Sequence, residues 1–386
     1  MKTCNLWLFL VFLSFNSFTF GNEGEQDVVP VLYMEDLVVT ASRFGQSLSD
    51  LSPSVSVFSK KTIEDGLYLN VTDVLNQIPG LHLSANGGMG KVTSMFTRGS
   101  ESNHTAVLLN GRRLPTGFSG QYDLGQLSLS NVGTIEVVRG DNSSLYGGAI
   151  GGVVNVRSNV AKGGQNQKLK AEVGSDNGKF YDYNYSLAND RLNSSFGISS
   201  ANTDGYQENS AFERNSANLY FVYALNDSID LDFQYLYYDT ILGVRGSIYN
   251  QFNPGEIKSA SDEINKTKAY MYSPGLTFHI SDTSNIKVTT NMSKNELKAI
   301  KTDYSSDNIF TENINCLEST YEFSHSDNKV KSILGLMFEK RKYEQNPINN
   351  FSTSSVSDFE VSYDTRSFFT NTIYQIDTLS EIEVGG

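Results

Sequence analysis

The sequence predicts a signal peptide, then a soluble α+β domain, then a transmembrane antiparallel β-barrel, and three observations carry that fold class. From residue 168 onward, runs of about ten residues alternate apolar with polar and are joined by Asn/Asp turns that are short and long in turn, as in an up-and-down membrane barrel. The block ahead of them is Gly-rich and mixes helical with strand periods. Beyond the N-terminus no stretch reaches the roughly 18 consecutive apolar residues of a membrane helix, so any crossing falls to strands.

Composition agrees. The formal charge is -13, which argues against a nucleic-acid partner. Aromatic content is 12%, as 21 Tyr and 23 Phe against one Trp, and suits the aromatic girdles of a barrel in outer-membrane lipid.

In chain order, Met1-Lys2, an apolar stretch over 6–15 and Thr19-Phe20-Gly21 read as a signal peptide (1–21) cut after Gly21. Cys4 leaves with it. Cys316 is then the single mature cysteine, so neither an internal disulfide nor a Cys-based metal site is expected. Residues 22–44 form a tail whose first part is polar, acidic and aperiodic, and is expected to be flexible. Within it Glu35-Asp36-Leu37-Val38-Val39-Thr40-Ala41 is strand-prone with nothing obvious to pair with locally. A free strand is a template for a partner's sheet edge.

Residues 45–160 form the soluble domain, large enough for a modest core of its own. Val55, Val57 and Phe58 make a short strand, and 62–67 a helical turn. Asn70 or Thr72 caps a helix through Val74, Leu75 and Ile78, which Pro79-Gly80 stops. Further strands are read over 92–98, 106–109, 134–138 and 153–157, the second turning at Asn110-Gly111.

The region 168–386 alternates most clearly in three runs. Tyr181, Tyr183, Tyr185 and Leu187 interleave with Asp182, Asn184, Ser186 and Ala188; Ala217, Leu219, Phe221, Tyr223 and Leu225 with Asn218, Tyr220, Val222 and Ala224; Ile229, Leu231, Phe233, Tyr235 and Tyr237 with Asp230, Asp232, Gln234 and Leu236. One face suits lipid and the other a wet lumen. Short turns fall at Asn189-Asp190, Asn226-Asp227, 282–284, 326–328 and Asp377-Thr378, and long polar connections near 201–214, 239–266, 297–315 and 343–364. Short turns belong to the periplasmic side, so the first strand starts there. Ten runs and the start of an eleventh at Ile382 are counted, an odd number that cannot close a barrel, and a fragment of a plugged barrel of about 22 strands is expected.

A soluble domain ahead of so large a barrel has a place inside its lumen. Here the residues carry a family resemblance. Glu35-Asp36-Leu37-Val38-Val39-Thr40-Ala41-Ser42-Arg43 resembles the TonB box of TonB-dependent outer-membrane receptors. Asp73-Val74-Leu75-Asn76-Gln77-Ile78-Pro79-Gly80-Leu81, Thr97-Arg98-Gly99, Leu108-Leu109-Asn110-Gly111-Arg112-Arg113-Leu114, Ile135-Glu136-Val137-Val138-Arg139-Gly140 and Leu145-Tyr146-Gly147-Gly148-Ala149-Ile150-Gly151-Gly152-Val153-Val154-Asn155 look like its successive plug motifs. Spacing and the Gly87-Gly88-Met89-Gly90 segment look closest to the vitamin B12 (cobalamin) receptor branch.

The resemblance implies a monomeric receptor in the outer membrane of a Gram-negative bacterium, with TonB binding Asp36, Leu37, Val38, Val39, Thr40 and Ala41. It implies a ligand floor built from plug loops 84–91 and 115–123, with Asn86, Gly87, Gly88, Met89, Thr116, Phe118, Ser119, Gln121 and Tyr122 facing outward. Two departures stand out: Asp141 follows Arg139-Gly140 where the family usually has Pro, and loop 201–214 lacks the dense Asp cluster that binds calcium in cobalamin receptors. Only Asp204, Glu208 and Glu213 are acidic there, a sparse set for calcium, and no other cofactor is implied.

On the residues' own chemistry, Val38, Val39 and Thr40 can add a strand to an energised partner. Glycines 147, 148, 151 and 152 permit close packing or positive φ. Arg98, Arg112 and Arg139 are either braces to barrel carboxylates or solvated turn ends. Gly88-Met89-Gly90-Lys91 fails the Walker pattern at Ala85 and Val92. His82, His104, His279 and His325 are too scattered for a metal or catalytic cluster. The leading reading is import of a scarce large ligand, corrinoid or iron chelate. A barrel-embedded hydrolase is the rival from another class; it needs a Ser or Asp beside a His at the outer rim, whereas His325 falls next to a predicted periplasmic turn. A passive porin is a third reading, against which the soluble domain argues.

Overall fold

The computed structural model describes residues 37–38, 43, 46–47, 54–117, 120, 122–140, 143–249, 257–300, 307–325, 329–347, 358–376 and 381–385. Two short strands, β1 (Leu37–Val38) and β2 (Gln46–Ser47), pair antiparallel. The tail segment predicted to lack a local partner therefore has one, because the chain doubles back around Arg43, which sits at φ 62. Asp36, Val39, Thr40 and Ala41 lie outside the described residues.

The N-terminal domain follows: β3 (Val55–Ser59), helix α1 (Lys60–Asp65), helix α2 (Val71–Leu75), β4 (Leu81–Ala85), β5 (Thr93–Thr97), β6 (Thr105–Leu109), β7 (Arg112–Arg113), β8 (Val132–Arg139), helix α3 (Ser143–Tyr146) and β9 (Gly152–Ser158). Five of these strands form one sheet in the order β3-β8-β9-β6-β7, all antiparallel except β6 against β9, while β4 and β5 pair as a separate hairpin. Every residue of β6 is buried, which is why it reads as a continuous apolar run rather than an alternation.

Local chemistry sets the boundaries. Ser59 caps α1 by accepting from Thr62 N at 3.2 Å. Asp73 closes a capping box on α2, its carboxylate accepting from Asn70 N at 3.0 Å. The helix predicted to reach Ile78 stops at Leu75; Ile78 still enters the core, 3% exposed, from the turn that Pro79-Gly80 completes. The predicted turn at Asn110-Gly111 forms with both residues at positive φ, 49 and 81, and reverses the chain into β7. The strand β4 was not foreseen: Leu81-His82-Leu83-Ser84-Ala85 is short and half exposed, and pairing with β5 holds it.

Then comes an 11-stranded antiparallel sheet in which each strand pairs with its chain neighbours: β10 (Gly164–Val173), β11 (Lys179–Ala188), β12 (Leu192–Thr203), β13 (Phe212–Asn226), β14 (Ile229–Tyr249), β15 (Ile257–Ser281), β16 (Ser284–Ile300), β17 (Asn308–His325), β18 (Val330–Pro347), β19 (Phe359–Gln375) and β20 (Glu381–Gly385). The ten runs and the eleventh at Ile382 are these strands. β10 starts at Gly164, ahead of the readable alternation, because Gln165-Asn166-Gln167 is polar on both faces yet pairs by backbone with Tyr185 to Leu187.

The predicted long connections near 239–266 and 297–315 are largely strand, and so is half of that near 343–364. β14 and β15 run 21 and 25 residues and pair up to Tyr249 and Ile257. At about 3.3 Å per residue they reach far past the apolar band of roughly 25 Å. There the sequence no longer alternates strictly, with Gly243, Gly246 and Ser247 in β14 and the polar run 258–263 in β15, while the backbone ladder continues.

Apolar side chains of the three alternating runs share one face. Phe221 pairs with Phe233 at 5.8 Å between centroids and Tyr235 with Tyr272 at 5.1 Å, and Tyr181, Leu336 and Phe338 are exposed on the sheet. The opposite face, expected to be wet, is dry where it meets the N-terminal domain. Leu236, Tyr238, Ala269 and Met271 complete that domain's own core, and Ile333, Phe369 and Ile373 close over Ala106, Leu108 and Leu145.

Candidate functional site

The N-terminal domain is fastened to the sheet by polar groups that strands β11 to β18 present on the inner face. Arg112, buried in β7, forms an ion pair with the carboxylate of Asp232, itself 4% exposed. Gln234 donates to Leu109 O at 3.0 Å and accepts from Asn110 at 3.1 Å. Asn131, at φ 57, is a second hub. Its N–H donates to Asn184 Oδ1 at 2.5 Å and its amide to Asn218 Oδ1 at 2.7 Å and Ser195 Oγ at 3.1 Å. Ser130 donates to Asp182 at 2.7 Å. Thr116 forms a third anchor, donating to Glu312 at 2.8 Å and accepting from Arg341 at 3.2 Å.

Of the other motif arginines, Arg139 braces its own domain, donating to Ser54 O at 3.1 Å and Pro79 O at 2.5 Å. Arg98 is exposed at φ 49 beside Gly99 at φ 81 and makes no ion pair among the described residues. The motif glycines are positional. Gly80, Gly111 and Gly140 have positive φ, and Gly140 N donates to Gly151 O at 3.1 Å. Gly152, at φ 140, leaves no room for a Cβ against Val138 O, and a Cβ on Gly151 would strike Ser100 Oγ.

The two outward loops are held differently from the expectation. Asn86 and Gly87 are exposed, but Met89 packs against Ala201, Phe212 and Leu242 of the sheet, and Lys91 Nζ donates to Gly243 O. Burial pushes the Lys91 ammonium below its ordinary value. Tyr122, expected to face outward, is 6% exposed within the core, because Leu124 and Leu127 draw this end of the loop inward. Phe118, Ser119 and Gln121 lie outside the described residues.

Asp123 anchors both loops, accepting from Thr93 N and Gly125 N at 3.0 Å each and from Gln126 at 3.1 Å. Burial raises its pKa above the ordinary 3.8, with these three donors opposing the rise. The folded state then holds the proton more tightly than the unfolded chain, so stability falls as pH rises from near 3.8 through the raised value and levels off above it. Asp123→Asn is expected to flatten that part of the stability-against-pH profile, measured by denaturant unfolding from pH 4 upward.

Near the tail, Arg43 reaches between the rings of Tyr146 and Phe369, 4.5 and 4.3 Å from their centroids. It donates to Glu318 at 2.8 Å and to Leu145 O at 2.6 Å. Burial opposes its charge, but Glu318, Tyr146 and Glu322 together outweigh burial and hold the pKa above the ordinary value. Burial pushes the Tyr146 phenol up to about 12, against the pull of Arg43. Gly147, which ends this motif, turns at φ 24 and offers its carbonyl to Arg113 at 2.7 Å.

Asp204, Glu208 and Glu213 do not converge. Among the described residues no group of three His, Cys, Asp or Glu side chains can hold a metal. Asn131, Asp232, Gln234, Arg43 and Glu318 were not singled out from the sequence. Asp232 and Gln234 were legible only as polar positions of one alternating run, and nothing local distinguishes Asn131.

A domain whose cross-links all run to the inner face of a long-stranded, lipid-faced sheet defines a class: a plugged outer-membrane barrel. Residues 47–153 match the family model of the TonB-dependent receptor plug domain. Residues 47–153 are thus similar to a TonB-dependent receptor plug domain, and an 11-stranded antiparallel sheet follows them.

Among curated relatives, the chain is 37% identical over 186 residues to the vitamin B12 transporter BtuB of Vibrio vulnificus (strain YJ016), covering 45% of this chain and 29% of that protein. Among solved structures it superposes on the ferripyoverdine receptor of Pseudomonas aeruginosa with a TM-score of 0.73 at 13% identity, covering 90% of this chain and 53% of that one. For the siderophore receptor PiuA of Acinetobacter baumannii the TM-score is 0.71 at 19% identity, covering 91% and 60%. The chain spans less than two thirds of the length of each of these relatives.

Proposed function

We propose that the chain works within a TonB-dependent receptor that captures a scarce, large solute at the cell surface and releases it into the periplasm, using energy that TonB delivers to the tail segment 35–41. A corrinoid is the favoured solute. The observation that carries this is the 186-residue match to a vitamin B12 transporter at 37% identity. The two siderophore receptors resemble it in fold over nine tenths of the chain, and a ferric siderophore is the second reading.

The plug fits the task mechanically. It is docked by discrete polar hubs set between two apolar contacts, one at Leu236, Tyr238, Ala269 and Met271 and one at Ile333, Phe369 and Ile373, so it can detach in steps. The wall's aromatic outer face suits lipid, and we read the receptor as a monomer.

Binding to the full-length receptor in outer-membrane vesicles separates the two solutes. Saturable binding of cyanocobalamin at or below micromolar concentration, unaffected by ferric chelates, is the expected result. Failure to bind it at micromolar levels, with binding of a ferric chelate, would transfer the assignment to siderophores.

A further inference from the structure

The plug does not touch the wall evenly. Against β11 to β15 it is sealed by the Asn131 hub and by apolar contact with Leu236, Tyr238, Ala269 and Met271. Along its β7 edge, facing β16 to β19, a cavity of about 610 Å³ lies between plug and wall. A second cavity, of about 250 Å³, adjoins the outward loop at Thr116 and Gly120. Arg113, Gly147, Arg341 and Tyr363 line both, so Arg113 stands where the two meet.

Of the four other arginines that line the larger cavity, three are neutralised, and Arg366 makes no ion pair among the described residues. Arg43 pairs with Glu318 at 2.8 Å, Arg112 with Asp232, and Arg341 with Glu339 at 2.8 Å and Glu312 at 3.5 Å. Arg113 has no carboxylate within ion-pair distance among the described residues. One guanidinium nitrogen donates to Tyr146 O at 2.5 Å and Gly147 O at 2.7 Å, and its other N–H groups have no acceptor among those residues. The two carbonyls fix the fork at the cavity wall without cancelling its charge, and Asn291 steadies the backbone behind it by donating to Arg113 O at 2.8 Å. Burial pushes its pKa down; Glu339 opposes this, while Arg341 and Arg43 add to it.

A half-buried, oriented guanidinium with no carboxylate in ion-pair contact, where two cavities adjoin, matches the bidentate geometry of an oxyanion. We propose that Arg113 is an anion subsite between plug and wall that takes a carboxylate or phosphate group of the solute in transit. The proposal rests on the import reading and adds where the solute is held on its way past the plug. A brace for the turn after α3 would use the same two carbonyl bonds, yet would give no dependence on anions.

Cys316 lines the same cavity and is free, which supplies a reporter. Full-length receptor in outer-membrane vesicles is treated with N-ethylmaleimide, a neutral reagent, and modification of the Cys316 peptide is followed by mass spectrometry. At about ten times its dissociation constant, pyrophosphate is expected to slow modification roughly tenfold by occupancy, relative to chloride at equal ionic strength. Arg113→Gln should abolish the protection while leaving the unprotected rate intact, and Arg113→Lys, which keeps charge but not the fork, should retain part of it. Heat-modifiable gel mobility verifies that each variant barrel is folded.

Protection by chloride equal to that by pyrophosphate, protection unchanged in Arg113→Gln, or no modification of Cys316 under any condition would each overturn the proposal. Loss of the subsite alongside intact TonB-dependent uptake would refute it without touching the import reading.

Discussion

Asp232→Ala is expected to destabilise the docked plug by about 3–5 kcal/mol, the range for removing one partner of a buried ion pair. Arg112 would be left buried without its carboxylate, and Lys287, 3.6 Å from Asp232, would lose a second contact. Gln234 Oε1, at 3.5 Å from Arg112, is too distant to replace it. Denaturant unfolding of the full-length receptor in detergent, read by protease sensitivity of the plug, measures the loss. The pair's net contribution is smaller than that loss, because two desolvated charges offset much of their own attraction. Accordingly, Arg112→Met combined with Asp232→Leu should recover most of the stability, and an additive double mutant would show that the pair does not act as a unit.

Asn131→Val is expected to have a comparable effect by a different route. It strips Asn218 and Ser195 of their buried donor, at about 1–3 kcal/mol for each group left unsatisfied. It also forces a β-branched residue to φ 57, which costs a further 1–3 kcal/mol or so. Asn131→Gly separates the two contributions, because glycine keeps the turn and loses only the side-chain bonds. If the two variants unfold at the same denaturant concentration, backbone strain plays no part.

What was legible in the sequence follows from where a single residue's surroundings are local. The wall's outer face was readable because lipid demands apolar groups at every second position, as in Phe221 and Phe233. Turns were readable wherever one residue type fits the backbone, as at Asn110-Gly111. The far ends of β14 and β15 were not, since Gly243, Gly246 and Ser247 in one and the polar run 258–263 in the other read as loop in sequence. Docking was not legible either. Arg112, Arg98 and Arg139 are equally plausible braces by sequence, and only the fold brings Asp232, which lies 120 positions further along the chain, to the first of them. Tyr122 shows the converse, a residue that looks outward in its loop but is drawn into the core by Leu124 and Leu127.

The account turns on energy reaching the plug through its tail. The direct test deletes residues 35–41 from the full-length receptor and compares surface binding with accumulation of solute in TonB-containing cells. Binding at wild-type affinity with uptake reduced to that of cells lacking TonB is the predicted result. Uptake at the wild-type rate after the deletion would contradict it.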